Sequence, residues 1–314
     1  MNITNENINS ILERYITFTN ELSNKYNYPS NIKHLLYLII PAFIIRYGAN
    51  HEKNILSCFE QTRITLSHTE DKHYVAYFAR VLRERTLDGK QEYYTDKKVI
   101  LNEYKTASFT GLIDNIVHEF NHAVNSINNE IKYDDNTVSI RTGLSYLNYN
   151  KSNLIPHAKK DPEITLEEII NTKQSADIIN IINSFNSYNI ENEEFKNTLY
   201  SVKHEISGDT YESKAYYLQS YITKDLMNNK TFIPTIENLR FKGFVDDIPS
   251  WFDNIIGRDG TYKKLVILLD DILELEKKYS KAIFFKNYKL NVIRNKISEV
   301  VEIVKDFDNK SIFK

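Results

Sequence analysis

The chain has 314 residues, 41% of them hydrophobic and 26% charged, and a formal net charge of -2. That is enough for one large or two modest domains with a real core, and it gives no general attraction to nucleic acid or an anionic membrane. Cys58 is the single cysteine, which excludes an internal disulfide and a cysteine-based metal site and fits a reducing compartment. The first residues, Met1 to Glu21, are polar and acidic and lack the pattern of a signal peptide. Residues 4 to 57 read as mainly helical, with apolar positions at Ile8, Ile11, Leu12, Tyr15 and Ile16. The apolar stretch Leu35 to Ile45 is too short to span a bilayer and contains Pro41, so the expectation is a buried helix interrupted or restarted at the proline. A cytoplasmic chain without a membrane span follows from these features.

From Arg63 the period changes. Ile64 and Leu66 alternate with Thr65 and Ser67, and the segments Tyr74 to Leu82 and Lys98 to Tyr104 are rich in β-branched and aromatic residues, which predicts a small sheet. Val138 to Arg141 is a further short strand candidate, ending at Thr142-Gly143. Helical periods return after Thr165, and Glu194 to His204, Tyr211 to Met227, Thr261 to Ser280 and Tyr288 to Phe307 read as helices. Leu265, Leu268, Leu269, Ile272 and Leu275 form an apolar stripe of the kind that packs one helix on another. The expected organisation is a helical region over 1–60, a core over 61–190 and a helical part over 191–314, or one compact unit. The fold class is α+β and helix-dominated.

The sharpest feature is His118-Glu119-Phe120-Asn121-His122, an HExxH pattern. Residues at i and i+4 share a helix face, so both imidazoles reach one metal ion, while Glu119, offset by one position, meets a water on that metal. Ile113, Ile116, Val117, Phe120, Val124 and Ile127 recur at helical spacing and place the motif on an amphipathic helix. Ser108 or Thr110 caps its start, and the Asn-Asn pair at 128 and 129 marks its exit. His118, Glu119 and His122, with Asn115 and Ser126, fall beside or opposite the apolar stripe and are expected to face a cleft.

A catalytic zinc needs a third protein ligand and an open fourth position. The extended HExxHxxGxxH pattern fails, because Asn125 and Asn128 stand where glycine and histidine are required. Asp209, in Ser207-Gly208-Asp209-Thr210, is one alternative. The favoured segment is Leu166-Glu167-Glu168-Ile169-Ile170-Asn171-Thr172, which resembles the glutamate helix of gluzincins, the thermolysin-like group of zinc metallopeptidases. Laid on that pattern, Glu168 takes the ligand position and Glu167 the one before it. The chain departs from the pattern in having Glu167 where asparagine is common and Thr172 where an acidic residue often supports a histidine. Glu168 also has a purely local reading, since Thr165 to Glu168 forms a capping box.

The resemblance covers the motif helix and this short segment. It implies a zincin-like fold, with a small mixed or antiparallel sheet over an active-site helix and a helical C-terminal part. It also implies one Zn2+ held by His118, His122 and Glu168, Glu119 as general base, and a peptide or protein substrate hydrolysed by a metal-activated water. A donor for the developing oxyanion is sought among His204, Tyr211 and Arg141. In such folds a sheet edge pairs with extended peptide, a role assigned to the strand at 98 to 104 unless that strand is fully paired within the sheet. Competing expectations are a zincin-like scaffold that binds peptide without turnover and a helical interaction protein with an accidental HExxH. Oligomeric state is not legible in the sequence.

Overall fold

In the N-terminal segment Ile8, Leu12 and Tyr15 are buried, while Ser10, Glu13 and Arg14 are exposed. The computed structural model describes residues 5–67, 75–102, 109–128, 130–156, 163–203, 231–280 and 286–311. By packing, the chain divides into two compact units, one made of Met1–Ile127 and Gln174–Tyr211 and the other of Asn128–Lys173 and Glu212–Lys314.

The first unit begins with helices α1 (Asn5–Arg14), α2 (Ile16–Tyr26), α3 (Ser30–Tyr47) and α4 (Glu52–Gln61). Leu35 to Ile44 of α3 is buried throughout, as expected of a helix apolar on every side. The helix runs unbroken through Pro41, contrary to the interruption expected there. Proline removes a single hydrogen bond to the preceding turn, and the packing of α3 on all sides holds the helix continuous. Among the described residues no single helix is long and apolar enough to cross a membrane.

Strands β1 (Thr62–Ser67), β2 (Ala76–Leu87) and β3 (Lys90–Asn102) form a mixed sheet in the order β1-β3-β2. β1 runs parallel to β3 from Thr62↔Lys97 to Ser67↔Asn102. β2 runs antiparallel to β3 from Ala76↔Leu101 to Leu87↔Lys90. The connecting turn places Asp88 at φ 50 and Gly89 at φ 75, the paired positive φ values of a type I′ hairpin that Asp-Gly favours. β3 is therefore the central strand, paired on both sides from Lys97 to Leu101, and so is not the free edge that a bound peptide would need. The strand's apolar alternation drew it into the middle of the sheet, and β2 is an outer strand instead.

Helix α5 (Phe109–Val124) follows and packs against β2, β3 and α4. Its stripe of Ile113, Ile116, Val117, Phe120 and Val124 is buried, and Phe120 stacks on Phe59 of α4 at 4.3 Å between ring centroids. The second unit opens with an antiparallel sheet of β4 (Ile131–Tyr133), β5 (Thr137–Thr142) and β6 (Ser145–Asn150), in the order β4-β5-β6.

Helix α6 (Glu163–Ser184) contains the division between the units. Leu166, Ile169 and Ile170 at its start belong to the apolar core of the second unit, and Ile178 and Ile182 further on are also buried. Helix α7 (Glu193–Lys203) completes the described part of the first unit. Helices α8 (Phe232–Lys242), α9 (Asp247–Ile256), α10 (Thr261–Ser280) and α11 (Lys286–Ser311) complete the second. There Phe252 stacks on Phe307 at 4.8 Å, and the stripe Leu265, Leu268, Leu269 and Ile272 is buried in the same core. The architecture is helix-dominated α+β, with two small sheets among the described residues.

Candidate metal centre

His118 and His122 stand one turn apart on α5, and their Nε2 atoms approach to 3.2 Å with ring planes at 74°. Two ligands at about 2.0–2.1 Å from a tetrahedral zinc are separated by about 3.3 Å. The imidazoles thus already hold the spacing of one edge of such a site. Glu168, on α6, is the third member: one ligand atom from each of His118, His122 and Glu168 lies within 4.8 Å of the others. The torsions of the glutamate side chain move its carboxylate without moving the helix. Two neutral nitrogens and one carboxylate are a donor set that suits zinc.

The surroundings are drier than the expected cleft. His118, Glu119, Asn115 and Ser126 are all buried, with His118 6% and Glu119 5% exposed, whereas His122 and Glu168 are half-buried. The side of the group that opens toward solvent is the His122 and Glu168 side. Ser126 Oγ, just beyond the end of α5, donates back to the carbonyl of His122 at 2.7 Å, a bond that accounts for its inward position. Helix α5 ends at Val124, before the Asn pair expected as its exit; Asn128 instead donates to the carbonyl of Phe241 at 2.6 Å.

Glu167 and Glu168 are adjacent and have different surroundings. Glu167 is buried, pairs with Arg240, and accepts from the backbone N–H of Leu144 at 3.0 Å. Arg240 in turn donates to Asn171 at 3.1 Å. Gly143, at φ +69 in the turn between β5 and β6, leaves the space into which that carboxylate fits; a Cβ there would collide with it. Glu167 is thereby occupied as a structural anion. The capping-box reading of Glu168 also lacks its partner geometry, since α6 starts at Glu163 and Thr165 lies inside the helix, with its hydroxyl 3.3 Å from Asp270. Thr172 Oγ1, one turn beyond Glu168, is buried and has no hydrogen-bond partner among the described residues.

Arg141 is not an oxyanion donor in this fold. It is fully buried and its guanidinium donates to the backbone carbonyls of Asn128, Gly143 and Arg240 at 2.7–3.0 Å, so the side chain serves as an internal brace. His204, Tyr211 and Asp209 lie outside the described residues. Cys58 is buried.

Asn121 and Asn125, which the sequence reading leaves without a structural role, are both fully buried. Their i, i+4 spacing beside an apolar stripe was a legible sign of a polar contact at a helix crossing. Tyr47 and Gln174, their partners, carried no such sign. No family model, curated protein or solved structure matches the chain.

Proposed function

We propose that the chain is a zinc-dependent metallopeptidase of zincin type, in which His118, His122 and Glu168 hold the metal and Glu119 is the general base. The supporting observation is the convergence of one ligand atom from each of those three residues within 4.8 Å, with the two imidazole nitrogens at tetrahedral-edge spacing. Zinc bound there supplies a Lewis acid that polarises a carbonyl and brings the pKa of a water toward neutrality.

The residues of the chain do the rest. His118 and His122 offer lone pairs from a helix whose apolar face is packed into the core, so their separation is set before any ligand arrives. Glu119, buried beside them, takes the proton of the attacking water and returns it to the leaving amine as the peptide C–N bond breaks. Its low exposure strengthens its electrostatic interactions, because few waters screen it. β2, an outer strand against which α5 packs, offers backbone groups for an extended peptide, which supports a peptide substrate.

Metal analysis and one isosteric variant test this reading. Purified protein should contain one zinc per chain, and His118→Ala or His122→Ala should abolish tight uptake, since two ligands seldom hold a catalytic zinc. Glu119→Gln should keep zinc and lose about a hundredfold or more of its turnover on a peptide library, the scale of general-base catalysis. Wild-type zinc content in both histidine variants would reject the site. Zinc uptake with no turnover by wild type or Glu119→Gln would make the chain a peptide-binding scaffold.

A further inference from the structure

The α5 segment that carries the histidines also carries a polar ring that the proposed reaction does not use. Asn121 and Asn125 each lie three residues beyond a histidine, and both are fully buried. Tyr47, at the end of α3, donates its hydroxyl hydrogen to Asn121 Oδ1 and accepts from Asn125 Nδ2 at 2.6 Å. Gln174 of α6 is 1% exposed, and its Oε1 accepts from Asn121 Nδ2 at 3.1 Å and from Asn125 Nδ2 at 3.2 Å. All four side chains belong to the first unit.

Three amides at one helix crossing are an expensive way to hold helices together. Each must be hydrogen-bonded or lose about 1–3 kcal/mol on burial. Apolar side chains of similar volume would pack at lower risk, but they tolerate repacking and small shifts. A single oxygen accepting from residues one turn apart does not, because sliding or rotating either helix breaks at least one bond. Directional contacts therefore specify a geometry where apolar contacts supply mainly adhesion. Glu168 stands about 9 Å before Gln174 along the same continuous helix.

We propose that Gln174 is a positioning residue for the metal centre: by accepting from Asn121 and Asn125 it sets the rotation and register of α6 on α5, and with them the distance of Glu168 from His118 and His122. The proposal rests on reading those three residues as metal ligands. It adds a group that touches neither metal nor substrate.

Gln174→Met keeps the length of the side chain and removes the shared acceptor, whereas Gln174→Glu keeps an oxygen at that place. Zinc affinity by competition with a chromogenic chelator, the visible spectrum of the cobalt-substituted protein, and a crystal structure of the metal-free variant are the readouts. Gln174→Met should fold, bind zinc about tenfold or more weakly, the scale seen when support to a ligand is lost, and show an altered cobalt spectrum. Its metal-free structure should show the carboxylate of Glu168 beyond the 4.8 Å seen here, and Gln174→Glu should recover most of the affinity. Unchanged affinity, spectrum and spacing in Gln174→Met would overturn the proposal, as would equal impairment in both variants. If wild type takes up no zinc, the metal reading falls, and the metal-free spacing alone decides for or against positioning. If Gln174→Met does not fold, Tyr47→Phe, which deletes only one hydroxyl of the ring, is judged by the same readouts, with a smaller shift in the same direction expected.

Discussion

At the scale of single residues, Glu167 and Glu168 show how little side-chain type alone decides. They are about 100° apart around α6, and that rotation sends one to Arg240 and the other to the two histidines. Glu167→Gln should leave a fully buried guanidinium without its counter-charge and cost about 3–5 kcal/mol of stability, read as a lower urea midpoint; the folded variant should still take up zinc. Glu168→Gln should do the reverse, weakening zinc uptake while metal-free stability stays within about 0.5 kcal/mol of wild type. Loss of zinc in Glu167→Gln with full uptake in Glu168→Gln would exchange their roles. The HExxH histidines could be read from the chain because a helix face is a local property. The partner of Glu167 could not, because Arg240 is brought to it only by packing within the second unit.

At the scale of elements, α5 was legible from its period, and the helices α6, α7, α10 and α11 fall where their apolar stripes placed them. The hairpin of β2 and β3 was legible only in part. Its outer half carries Arg83, Glu84, Arg85 and Glu92, which alternate no apolar face and are held by cross-strand pairs such as Arg85 with Glu92 at 2.8 Å and Gln91 with Glu84 at 2.7 Å. Asp88-Gly89 was the signal that would have joined the two halves. β4 and β6 escaped notice because one spans three residues and the other, Ser145–Asn150, mixes Tyr146, Leu147 and Tyr149 with serine and asparagine and has no strict apolar alternation. The turn between β5 and β6 yields a prediction of its own. Gly143→Ala would force a side chain onto φ +69 and into the Glu167 carboxylate, so it should destabilise by more than about 1 kcal/mol. Chemical denaturation measures this, and a neutral result would mean that the turn relaxes away from Glu167.

At the scale of the whole molecule, a metal held as proposed by residues of α5 and α6 would cross-link two helices that are separate in the unfolded chain. Binding to the folded state alone adds about 4 kcal/mol when free zinc exceeds its dissociation constant a thousandfold. A chelator should therefore lower the melting temperature of wild type by several degrees, and added zinc should restore it. His122→Ala should melt at the same temperature with and without chelator. Identical melting of wild type under both conditions would count against a structural contribution from the metal. The division of the chain adds a feature that no scan along the sequence detects. Each unit is built from two separated segments, and one of the three divisions falls inside the continuous helix α6, where neither composition nor linker residues change.

The sequence by itself determined the helix-dominated class, the apolar face of α5, and the pair of histidines one turn apart, because periodicity and i, i+4 spacing act within a few residues and need no partner. It narrowed the third group of the metal centre to a few carboxylates. Only the tertiary structure separated Glu168 from Glu167, moved Arg141 from candidate catalyst to internal brace, made β3 the central strand, and closed Asn121, Asn125, Tyr47 and Gln174 into one ring. Each of those outcomes depends on contacts between residues far apart in the chain, where rotation of a helix by one position exchanges a carboxylate in a buried ion pair for one grouped with two histidines.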